Sequence, residues 1–97
     1  MQVISPIIKR VFPEHIDDRL IFDGSEANYL NVAWKDYYRT RPVNGTNFWV
    51  EISRGPNGDF VIQMYSRPPT DANFEQHHAL PEALPGIVKQ YLDRVLS

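Results

Sequence analysis

The stretch 47–67, NFWVEISRGPNGDFVIQMYSR, limits what this chain can fold into more than any other. Two runs alternate apolar and polar residues with period two, and Gly55-Pro56-Asn57-Gly58 separates them, which is the pattern of a β-hairpin. Pro56 presets φ for the first central position of a type I turn, Asn57 suits the second, and Gly58 suits the left-handed bulge position after it. This closure pairs Gly55 with Asp59, Ile52 with Ile62, Val50 with Met64 and Trp49 with Tyr65. Phe48, Val50, Ile52, Phe60, Ile62 and Met64 then share one face, which must be a core face. Trp49, Glu51, Ser53, Val61, Gln63 and Tyr65 share the other, mostly polar but with a cross-strand aromatic pair.

The preceding strand is expected over Asn28–Thr40, with Leu30, Val32 and Trp34 buried and Tyr29, Asn31, Lys35 and Tyr37 exposed. Its connection to the hairpin, Pro42-Val43-Asn44-Gly45, decides the register. A two-residue Asn-Gly turn pairs Tyr37 with Ile52 and drives Lys35 and Asn31 into the core. A three-residue turn with Gly45 as the bulge pairs Tyr38 with Val50 instead. Burying an unpaired ammonium costs far more than one bulge, so the second register is expected. One residue fits it badly: Asp36 faces inward opposite Ile52, near the sheet's end and Arg54.

A shorter strand is expected at Arg19–Asp23, closed by Gly24-Ser25. Helices flank the strands. Ser5-Pro6 opens the first, with Ile7, Ile8, Val11 and Phe12 on one face and Pro13 ending it. Thr70 or Asp71 caps a short middle helix running to Ala79, and Pro85 opens a long last helix. The last carries a stripe of Ile87, Val88, Tyr91, Leu92 and Val95, with Lys89 and Asp93 paired at i,i+4 on its wet side. The expected fold is therefore α+β: a four-stranded antiparallel β-meander with N-terminal, short middle and long C-terminal helices packed on one face. Residues 1–97 read as a single domain.

The chain has no cysteine, which removes disulfide frameworks, thiol nucleophiles, Cys-ligated zinc and iron–sulfur clusters. No apolar run suits a membrane span or a secretory leader, so a cytoplasmic setting is expected. Residues 29–67 hold a slight excess of Lys and Arg while the rest is acidic, an asymmetry too small to name a partner.

The most informative functional signal is the outward face of the sheet. In the expected register Arg39 lies opposite Trp49, Trp49 opposite Tyr65, and Tyr37 opposite Glu51. Aromatic side chains at outward positions either steady the sheet or meet a partner. The leading expectation is a non-enzymatic interaction or accessory protein without a cofactor, binding a protein partner or a second copy through Tyr37, Arg39, Trp49 and Tyr65. An alternative is a small enzyme or divalent-metal site on the middle helix, where Asp71, Glu75 and His78 would share a face beside His77. That spacing is not the His-Glu-x-x-His of zinc peptidases. A second alternative, a binder of single-stranded nucleic acid, lacks both the RNA-recognition signature and a basic balance. No serine sits in a nucleophile elbow, and both hairpin glycines are used by the turn rather than by a phosphate loop.

Overall fold

A computed structural model describes residues 10–27 and 33–97. Among them five strands form one antiparallel sheet: β1 (Ile21–Ala27), β2 (Ala33–Arg39), β3 (Asn47–Arg54), β4 (Phe60–Arg67) and β5 (Glu75–Ala79), in that spatial order. A single helix, α1 (Leu84–Leu96), comes after them. The meander and the α+β class are as expected. The count is not: five strands and one helix stand in place of four strands and three helices.

The central hairpin matches the sequence pattern closely. Ile52 pairs with Ile62, Val50 with Met64 and Trp49 with Tyr65. The Gly55 amide donates to the Asp59 carbonyl at 2.9 Å, and Gly58 takes a φ of 78°. Val50, Ile52, Ile62 and Met64 are completely buried. The second register also holds, with Tyr38 opposite Val50 and Asp36 opposite Ile52. Its turn, however, is built differently. Val43 and Thr46 exchange two backbone hydrogen bonds of 2.8 and 3.0 Å around Asn44 (φ 51°) and Gly45 (φ 78°). That is a two-residue turn with both central residues left-handed. The extra residue sits at Arg41-Pro42, between this turn and the Thr40–Phe48 contact, where Pro42 has no N–H to leave unpaired. The expected register therefore holds, but the three-residue turn with Gly45 as its bulge does not: Asn44-Gly45 forms the two-residue turn and the bulge lies outside it.

Residues 75–79 are a strand, not part of a helix. The reason is physical: a helix over 71–79 has no apolar stripe to bury and is made largely of poor helix formers. As a strand it satisfies the β4 backbone groups and buries Ala79 against Phe60. Only Asp71–Asn73 makes a helical turn, of the 3-10 type. The N-terminal helix expected at Ser5–Phe12 lies mostly outside the described residues, as do Tyr29, Leu30, Asn31 and Val32. Val11 and Phe12 are irregular, since their amides donate to the Asp36 carboxylate rather than to a preceding turn.

Two coverings close the inner face. The segment 10–20 delivers Val11, Phe12 and Ile16, with Phe12 edge-on to Phe60 at 5.3 Å. Helix α1 delivers Leu84, Val88, Tyr91 and Leu92, with Tyr91 against Phe48. Ile87 and Val95 of the expected stripe are half-buried beside them, and Lys89 pairs with Asp93 at 2.6 Å. Arg19, gripping Asp17 and Asp93 at 2.9 Å each, ties the two coverings together. Trp34, expected inside, is 44% exposed at the start of β2. It shares the parity of Asp36 and Tyr38, yet β2 pairs with β3 only from Lys35 onward, so it lies past the paired ladder.

Candidate functional site

The ladder registers put Lys35, Tyr37 and Arg39 of β2, Trp49 and Glu51 of β3, and Tyr65 and Arg67 of β4 on the outward face. Both coverings lie on the other side, so the face is formed by side chains alone. Glu51 is its centre. One carboxylate oxygen accepts a short hydrogen bond from the Tyr65 hydroxyl, and the other meets Lys35 Nζ at 3.2 Å. Tyr37 lies opposite Glu51, with the Glu26 carboxylate of β1 also beside its phenol. Burial pushes the Tyr37 and Tyr65 phenols up to about 12, and the carboxylates of Glu26 and Glu51 beside them push the same way.

Three of the four residues expected to form the site are brought together here: Tyr37 and Tyr65 around Glu51, and Trp49 beside Tyr65. Arg39 does lie opposite Trp49 in register, but its guanidinium turns to Asp23 at 3.2 Å. The cation over the indole is Arg67, 4.7 Å from the Trp49 ring and 5.7 Å from the Tyr65 ring. Sequence reasoning missed Arg67, although the signal was present. With Trp49 opposite Tyr65, position 67 is the diagonal neighbour of Trp49, within reach of a long side chain. Such an exposed cation–aromatic contact is worth about 0.5–1 kcal/mol. Lys35 and Arg39 are held by carboxylates, whereas Arg67 has no ion pair among the described residues. The Trp49 indole N–H is buried and has no acceptor among the described residues.

Glu75 and His78, which the alternative metal site needed on one face, do not share one. Neighbouring strand residues point to opposite faces, so Glu75 and His77 face α1 while Gln76 and His78 face outward. Glu75 holds His77 at 2.9 Å and also pairs with Arg94 of α1. His78 contacts Asp59 at 3.3 Å across the sheet. The Asp71 side chain lies outside the described residues. Among those described, no three His, Asp or Glu residues converge as metal ligands.

A second polar cluster lies on the inner face. Asp36 is wholly buried; Oδ1 accepts from the Val11 amide at 2.9 Å and the Ser25 hydroxyl at 2.6 Å, and Oδ2 accepts from the Phe12 amide at 2.9 Å. Ser25 arrives there because β1 slips register between Phe22 and Ser25, around Gly24 with φ 111°. Arg54, the neighbour expected for Asp36, lies over Phe60 instead. Beyond these clusters, a polar cleft of about 280 Å³ gathers Arg10, Glu14, His15, Asp17 and Asp18 near Tyr38. Asp17 in it is held by Arg19, which keeps its carboxyl below the usual range. No helix among the described residues is long and apolar enough to cross a membrane. Compared with known proteins, the chain matches no family model, no curated protein sequence and no solved structure.

Proposed function

We propose that this is a non-enzymatic interaction or accessory protein of the cytoplasm that docks a protein partner over Trp49, Tyr65 and Arg67, with Tyr37 and Arg39 at the border. The observation that carries the reading is Trp49. Among the described residues its indole N–H is buried without an acceptor, on a face that neither α1 nor the segment 10–20 covers, and no carboxylate there restrains the arginine above it. A buried unpaired donor costs about 1–3 kcal/mol, and a partner carbonyl reaching it as Arg67 swings aside would relieve that cost. Trp, Tyr and Arg are also the side chains that concentrate interface energy. A partner with a carboxylate near the carbonyl suits Arg67, whose planar fork accepts such groups bidentately.

The test compares captures by the wild-type chain and by Trp49→Ala from the cells that make it. A specific partner should be lost with Trp49→Ala and Arg67→Ala but kept with Glu82→Ala, an exposed residue in the turn before α1 and outside the sheet. The purified partner should then shield Trp49 from a neutral quencher in a Trp34→Phe background. A partner that binds both Trp49→Ala and Arg67→Ala normally would leave the aromatic pair with a purely structural role.

A further inference from the structure

The two edges of the sheet are built in opposite ways. β1 breaks register with β2 twice, at Phe22/Ser25 and at Glu26/Ala27, and presents exposed Asp23 and Glu26. Bulges and charges of this kind stop an edge strand from pairing with another chain. β5 has no bulge, and its one acidic residue, Glu75, faces inward and is held by His77 and Arg94, so no acidic side chain stands on its outward face. It pairs with β4 from Glu75 to Ala79 without a shift, contains no Pro or Lys, and has no strand on its outer side among the described residues. Phe74, 52% exposed, and Leu80, 55% exposed, stand immediately before and after it.

We infer that β5 is a self-association edge, at which two copies pair antiparallel about a two-fold axis through His77. The segment 74–80, FEQHHAL, is apolar at both ends and polar between. Centring it on His77 sets Phe74 against the partner's Leu80 at each end of the new ladder. Gln76 then faces the partner's His78, and Glu75 faces the partner's Ala79. Every exposed apolar side chain of the edge gains a partner, and no like charges oppose each other along the strand. A shift by two residues would set Phe74 opposite Glu82 or His78 and lose both apolar pairs. The arrangement also closes: pairing two β5 edges leaves only the bulged β1 edges at the outside, so it gives a two-chain sheet rather than a fibre. An extended peptide from another protein could use the same backbone groups, but it would not supply matched apolar ends by symmetry. This surface is separate from the Trp49 face, and the two readings stand or fall independently.

The test is the solution mass of the full chain by light scattering and sedimentation at high protein concentration. Wild type should run at twice its 11.3 kDa chain mass. The double variant Phe74→Lys/Leu80→Lys and the double variant Phe74→Glu/Leu80→Glu should each be monomers, because like charges then oppose each other at both ends. Mixing the two in equal amounts should restore a two-chain species containing one of each. Since the chain has no cysteine, His77→Cys should form a disulfide with itself across the axis under mild oxidation. Trp49→Ala should dimerise like wild type. A wild type that stays monomeric, a dimer that survives both charged variants, or one lost on Trp49→Ala would overturn the inference. Capture of an extended peptide by a monomeric wild type would assign the edge to a different occupant and overturn it equally.

Discussion

Asp36 and Glu51 occupy adjacent rungs of one ladder and point to opposite faces of the sheet, and each is the acceptor around which its face is arranged. Their donors differ in kind. Asp36 takes two backbone amides and a hydroxyl, all inside the core. Glu51 takes a tyrosine and a lysine, with its side chain still 14% exposed. A backbone amide cannot leave its acceptor unless a segment of chain undocks. A side-chain donor can rotate away. The inner carboxylate therefore fixes architecture by fastening residues 11 and 12 to the sheet, whereas the outer one orders a surface that stays free to rearrange against a partner.

The largest effect should come from breaking the inner cluster. Asp36→Leu leaves the Val11 and Phe12 amides buried without acceptors, at a cost of about 3–5 kcal/mol. For a domain whose whole stability is of order 5–15 kcal/mol, urea unfolding should show a midpoint shifted far down or no folded baseline. Trp49→Ala should cost about 1 kcal/mol, the worth of a cross-strand aromatic pair, and keep a cooperative transition. In the same fold, with both indoles present, acrylamide should reach Trp34 more readily than Trp49, reversing the order that alternation along Asn28–Thr40 suggested. Glu51→Gln, which keeps an acceptor for Tyr65 and loses only the attraction to Lys35, should cost well under 1 kcal/mol. Equal losses from Asp36→Leu and Glu51→Gln would erase the distinction between the faces.

The legible parts of the chain were those whose partner lies nearby in sequence. The β3–β4 hairpin could be paired rung by rung because Gly55-Pro56-Asn57-Gly58 fixes its turn and the alternation fixes its faces. The β2–β3 register came from the cost of burying Lys35, even though the bulge fell at Arg41-Pro42 instead of Gly45. Asp36 was legible only as a misfit: an inward carboxylate whose answer lies 24 and 25 residues away, in amides that carry no signal in the sequence. Residues 75–79 were misread for a related reason. Local capping at Thr70 or Asp71 favours a helical turn, and one forms at Asp71–Asn73, but the unpaired edge of β4 claims Glu75–Ala79 as a strand. The outward aromatics were placed correctly by alternation, while the choice of Arg67 over Arg39 depended on where a long side chain turns.

The smallest effect gives the finest comparison of the two faces, because tyrosines report on both. Tyr38 and Tyr91 on the inner side, and Tyr37 and Tyr65 on the outer, are all pushed up to about 12. Burial is the leading cause in each, but only the outer pair feels Glu51. A phenol raised from its ordinary value of about 10 keeps its proton after the unfolded chain has lost it. Its contribution to stability is therefore intact below pH 10 and is lost as pH rises toward 12. Absorbance titration at alkaline pH should show these four phenols ionising late, and in urea all should return to the ordinary range. Glu51→Gln removes a negative charge from beside Tyr65 and Tyr37, so their ionisation should move to lower pH while Tyr91 stays where it is. The difference spectrum between wild type and Glu51→Gln should accordingly grow in on the low-pH side of the transition. If Tyr91 shifted with Tyr65, the two faces would share one electrostatic environment, and the outer carboxylate could not be treated as a surface element separable from the core.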